Sequence, residues 1–102
     1  MSFTKQLQAL TAAIGDPKQK FEVMRTLTFL KDVYASGKIR DDQLLSDVRE
    51  VCELVIALAA PDLTEDEVRQ KAAIVAEEIV KSIKLESIFR RAFTRVRSAP
   101  LF

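Results

Sequence analysis

Three carboxylates, Asp47, Glu50 and Glu53, recur every third residue in a stretch of helical composition. That spacing keeps them near one side of a helix, where an all-oxygen ligand set suits a hard divalent cation such as magnesium. The same spacing also fits a plainer arrangement, in which Asp47 and Glu50 are solvated and Glu53 reaches the bundle edge or pairs with a Lys or Arg. A second constellation lies near the C-terminus, where Lys81, Lys84, Arg90, Arg91, Arg95 and Arg97 accompany Phe89 and Phe93. Arginine offers a fork that grips phosphate oxygens bidentately, and clustered basic residues are the electrostatic footprint of nucleic-acid or anion binding. The structural counterpart is a basic helix end that suits the helix dipole and pairs with acids elsewhere. Phe89 and Phe93, four residues apart, are then core or subunit-interface anchors.

What is missing narrows the chemistry. The chain has no His, so the usual base near neutral pH and the commonest metal ligand are absent. A nucleophile would therefore lack its usual activator, and no serine has the surroundings of one. A single Cys excludes an intrachain disulfide and a cysteine zinc site. Cys52 stands in an apolar run and is expected to be a small core hydrophobe. Two isolated glycines cannot form a phosphate-cradling loop. No cofactor is called for. Asn is also absent, a depletion expected of heat-adapted proteins.

One short match bears on the carboxylates. Glu50-Val51-Cys52-Glu53 resembles the first half of the Glu-x-x-Glu pattern of all-helical nucleotide pyrophosphatases related to MazG. The resemblance covers four residues and implies a magnesium-dependent site on a small helical bundle, with Asp47, Glu50 and Glu53 as ligands. The second half of that pattern, Glu-x-x-Asp on the next helix, has no counterpart. Glu77 and Glu78 are followed three residues later by Val80 and Lys81.

Charge is strongly segregated although the net is only +1. Residues 41–67 carry nine acids against Arg49, whereas residues 81–102 carry six basic residues against Glu86. Such a dipolar chain complements itself within the fold, between subunits or against a partner.

These residues must be positioned by helices. A chain of 102 residues, 48% hydrophobic and 30% charged, is one domain of ordinary globular character, and its scarce Gly and Pro leave little material for β-turns. The run Val51–Ala60 contains only Glu53 among apolar residues and predicts a central helix with the others around it, no face of which is wholly given to water. A first helix is expected over residues 3–14 from the stripe Phe3, Leu7, Leu10 and Ile14, ended by Gly15. Asp16 as N-cap and Pro17 at the first helical position start a second, residues 17–35, with a broad apolar face from Phe21 to Tyr34. Gly37 supplies its left-handed stop. Asp41 or Asp42 caps a third, residues 42–60, and Thr64 with Glu67 forms a capping box for a fourth, residues 65–84. Its stripe loses phase after Ile83, which predicts a break at 84–87 and a fifth helix, 87–97, capped by Ser87; because no Gly or Pro marks the break, one helix running through it is the alternative. Residues 98–102 read as a tail.

The expected architecture is an all-α, up-and-down bundle of four helices plus a short C-terminal fifth, in one domain over residues 1–97. No apolar signal-peptide core follows Met1, and the run 51–60 is shorter than the roughly 20 residues a membrane span needs. A cytoplasmic, non-enzymatic interaction module is the expectation. It self-associates through Phe89, Phe93, Leu101 and Phe102, because a chain this small has more apolar stripe than it can bury. Nucleic-acid binding through the basic end is the alternative, and the magnesium-dependent hydrolase a third.

Overall fold

The computed structural model of the chain describes residues 2–98, with side chains through Arg90. Four helices follow in order: α1 Phe3–Thr11, α2 Pro17–Ala35, α3 Asp41–Ala59 and α4 Glu65–Ser98. No strand occurs among the described residues, so the fold is all-α.

The helix ends follow from side-chain chemistry. The Lys5 N–H donates to Ser2 Oγ at 3.3 Å, capping α1. Asp16 Oδ1 accepts from the Lys18 N–H at 3.0 Å, and Pro17 opens α2 as expected. Gly37, at φ 77°, takes the left-handed conformation that lets the chain leave α2. At the head of α4 the Thr64 and Glu67 side chains each accept from the other's backbone N–H at 3.2 Å, a complete capping box.

Three boundaries differ from the sequence reading. The first helix stops at Thr11, yet Ile14 still turns back into the core, its N–H bonded to the Thr11 carbonyl at 3.0 Å. The N-cap of α3 is Arg40, without a side-chain cap bond; Asp41 and Asp42 fall in the first turn, where they favour the dipole. No break interrupts residues 84–87, and the residues expected to form a fifth helix are the C-terminal part of α4. Ser87 is not a cap. It is buried on the inner side of α4.

Three cross-helix contacts fix the topology. The Phe3 N–H donates to Glu86 Oε1 at 3.4 Å, the Ser82 hydroxyl donates to the Gln6 side-chain carbonyl, and Lys84 Nζ meets Asp41 Oδ2 at 2.9 Å. Thus α1 and α3 begin beside residues 84–86 of α4 and run antiparallel to it. The end of α2 reaches the same level, with Lys31 Nζ 3.4 Å from Glu86 Oε2. This is an up-and-down bundle, with α3 touching all three other helices and lying most extensively against α4.

The core is built from Phe3 and Leu7 of α1, Val23, Leu27 and Leu30 of α2, Leu44, Val48, Cys52 and Val55 of α3, and Ala72, Ala76, Ile79 and Ile83 of α4. Cys52 is fully buried, as its setting in the sequence implied, and burial followed by the nearby Glu53 charge pushes its thiol up to about 12. The central helix is less enclosed than its composition suggests. Leu54 and Leu58 are 60% and 52% exposed, because α1, α2 and α4 surround only part of its circumference.

Candidate interaction surface

The carboxylates of α3 do not converge. Asp47 Oδ1 accepts from Gln43 Nε2 at 2.9 Å, one turn back on the same helix. Glu50 and Glu53 line an open groove of about 460 Å³ whose floor includes Leu54, Ala57 and Leu63 and whose far wall carries Arg69. Among the described residues no three of Cys, Asp and Glu come together as a group able to hold a metal ion. Arg69 itself lies 3.8 Å from both Glu65 and Asp66.

The basic end divides into members with and without a partner. Lys84 is tied to Asp41, which also accepts from the Tyr34 hydroxyl at 2.8 Å. The hydrogen bond from Lys84, then that from Tyr34, holds the Asp41 carboxyl below its ordinary range, and the Asp41 contact raises Lys84. This pair joins the acidic segment to the basic one within the fold. Lys81 and Arg90 are exposed and have no acidic partner among the described residues. The side chains of Arg91, Phe93, Arg95 and Arg97, and the whole of Leu101 and Phe102, lie outside the described residues.

Four large apolar side chains stand exposed on the outer side of α4. Leu85, Ile88 and Phe89 are 55%, 61% and 70% exposed. Their i, i+3, i+4 spacing puts them on one face. Farther back on the same helix Ile74 is 67% exposed. It borders a largely apolar groove of about 410 Å³ between α1, α3 and α4, with Ala9, Leu10, Ile56 and Val75 among its walls. Eleven residues are about three helical turns, so Ile74 and Leu85 lie nearly in line along α4. Because α1, α2 and α3 all begin or end beside residues 84–90, α4 continues for about two turns past them. More apolar surface lies on α2, where Phe21 and Phe29 are 65% and 62% exposed rather than part of the buried face.

Of the expected interface residues, Phe89 stands where a partner could reach it. Ile74 was not anticipated there. Its signal was present in the chain, as an apolar residue out of phase with the stripe Val68, Ala72, Val75, Ala76, Ile79, Val80 and Ile83. Among the described residues no helix is long and apolar enough to cross a membrane.

Comparison with protein-family models, with curated proteins and with solved structures gives no match to this chain.

Proposed function

We propose that this chain is a helical interaction module that works by self-association and not by catalysis. The observation that carries this reading is the face of Leu85, Ile88 and Phe89, more than half exposed on the outer side of α4 just before the part that continues past the other helices. Covering the exposed part of each such side chain is worth about 1–2 kcal/mol, so the three together amount to a sizeable share of a small domain's net stability. A helix end of only a few turns is also marginal in water without a partner. Sedimentation velocity over a wide concentration range tests the reading. The mean mass should rise from one chain toward two, and Phe89→Asp should hold it at one chain. A single-chain mass up to several hundred micromolar would overturn it.

Lys81 and Arg90 support a second reading, in which the same end binds nucleic acid. Fluorescence anisotropy of labelled duplex and single strands at several salt concentrations tests it, with affinity expected to fall steeply as salt rises.

A further inference from the structure

The outer stripe of α4 has a charge order that selects its occupant. Reading along it, Ile74 is followed by Glu78, one turn on, then Lys81, Leu85 and Ile88, all exposed. Neither Glu78 nor Lys81 has an ion-pair partner among the described residues. The same order holds for the helix as a whole. Glu65, Asp66, Glu67, Glu77 and Glu78 lie up to residue 78, and Lys81, Lys84, Arg90, Arg91, Arg95 and Arg97 from residue 81 on, with Arg69, Lys71 and Glu86 as the exceptions.

Resting on the self-association reading above, we propose that the occupant of this stripe is a second copy of the chain, its α4 lying antiparallel across the first about a two-fold axis between residues 79 and 80. In that register Ile74 faces Leu85 of the second copy, Glu78 faces Lys81 of the second copy, and the symmetry makes each contact twice. The acidic first turn of each α4 then lies beside the basic end of the other. A parallel arrangement sets Lys81 against Lys81 and the basic ends against each other, which like-charge repulsion disfavours. The interface is isologous, as a closed dimer requires. The groove beside Ile74 lies at the level where Leu85 of the second copy arrives, so the apolar side chain finds a walled site and not a flat surface. The symmetric contact runs from Gln70, which faces Phe89 of the second copy, to Phe89, with Lys71 opposite Ile88; it is only about 29 Å long, so the pairing is a concentration-dependent equilibrium and not a permanent assembly.

Charge exchange at two exposed positions tests both surface and orientation. In a Glu78→Lys homodimer both cross pairs become Lys against Lys, and in Lys81→Glu both become Glu against Glu. Each variant should weaken dimerisation by about tenfold at low salt, since two attractive pairs become repulsive. The double variant Glu78→Lys/Lys81→Glu should recover wild-type association, and an equimolar mixture of the two single variants should form a heterodimer, visible by native mass spectrometry. Far-UV circular dichroism and melting at low micromolar concentration, expected to be unchanged at these exposed sites, show that each variant is folded. If wild type dimerises but the single variants dimerise equally well, or the double variant is not restored, the proposed pairing is wrong while self-association stands. A wild type that stays single-chain overturns both. If it does so while Lys81→Glu abolishes salt-dependent binding of a labelled duplex, the stripe serves nucleic acid instead.

Discussion

Both faces of α4 carry large apolar side chains, and these differ in what they meet. On the inner face Ala72, Ala76, Ile79 and Ile83 are at most 1% exposed, and α1 and α3 cover them. On the outer face Ile74, Leu85, Ile88 and Phe89 are 55–70% exposed, and nothing among the described residues fully covers them. Apolar content alone therefore does not mark the core. The inner face is fixed by the fold and is explained once the bundle closes. The outer face is only partly covered by the described residues, and self-association is the use proposed for it above.

The sharpest way to break this contrast is to truncate one side chain on the inner face. Ile83→Ala should lower the stability of the domain by roughly 2–5 kcal/mol, since the site is fully buried and the surrounding helices cannot collapse into the vacated volume. Urea denaturation at low protein concentration measures it. A loss under 1 kcal/mol would mean that the inner face is not the tightly packed side.

The same contrast shows what could be read from the residues in advance. Helix positions were legible wherever a local device marks them: Asp16-Pro17, Gly37 and the Thr64–Glu67 box all stand as their chemistry requires. Two expectations differ from the structure for one reason. The change of phase after Ile83 predicts a break, with one continuous helix as the alternative, and it is the continuous α4 that forms, its apolar side moving from the inner to the outer face. The apolar run of α3 predicts a helix with others around it, whereas Leu54 and Leu58 face solvent. Periodicity reports which residues avoid water, but not whether the same chain or another copy covers them. Phe89 was singled out as an interface anchor on apolar surplus, whereas Ile74 needed the positions of α1 and α3 to be seen as exposed.

Smaller effects test the inner face at its end. Ser87 is buried there and its hydroxyl has no hydrogen-bond partner among the described residues. An unpaired buried hydroxyl costs free energy, and alanine is the better helix former, so Ser87→Ala should raise stability by about 1 kcal/mol. A decrease in the urea midpoint would show that the hydroxyl is satisfied in solution.

Where the two faces meet, Lys84 ties α4 to Asp41 at the start of α3. The Asp41 carboxyl is lowered in the folded state, so its contribution is fully present above its ordinary value of 3.8 and is lost as pH falls through the lower folded value. Lys84 is raised, so its contribution is present below 10.5 and is lost as pH rises through the higher folded value. Melting curves of wild type and Asp41→Asn should therefore differ by a small, constant gap from pH 5 to pH 9 that closes at both extremes. A gap that is unchanged below pH 3 would remove the ion pair as its cause.

The smallest effect on the single chain is expected from Phe89→Ala, and that near-silence is what separates the faces. At 70% exposure the ring has little protein contact to lose, so unfolding measured at low micromolar concentration should shift by no more than about 0.5 kcal/mol. Measured at several hundred micromolar, the same substitution should lower the melting temperature relative to wild type, because only the native dimer gains from the ring and mass action makes that gain concentration-dependent. A comparable loss at both concentrations would make Phe89 an ordinary part of the monomer's structure. A loss confined to the high concentration would assign its contribution to the contact between chains.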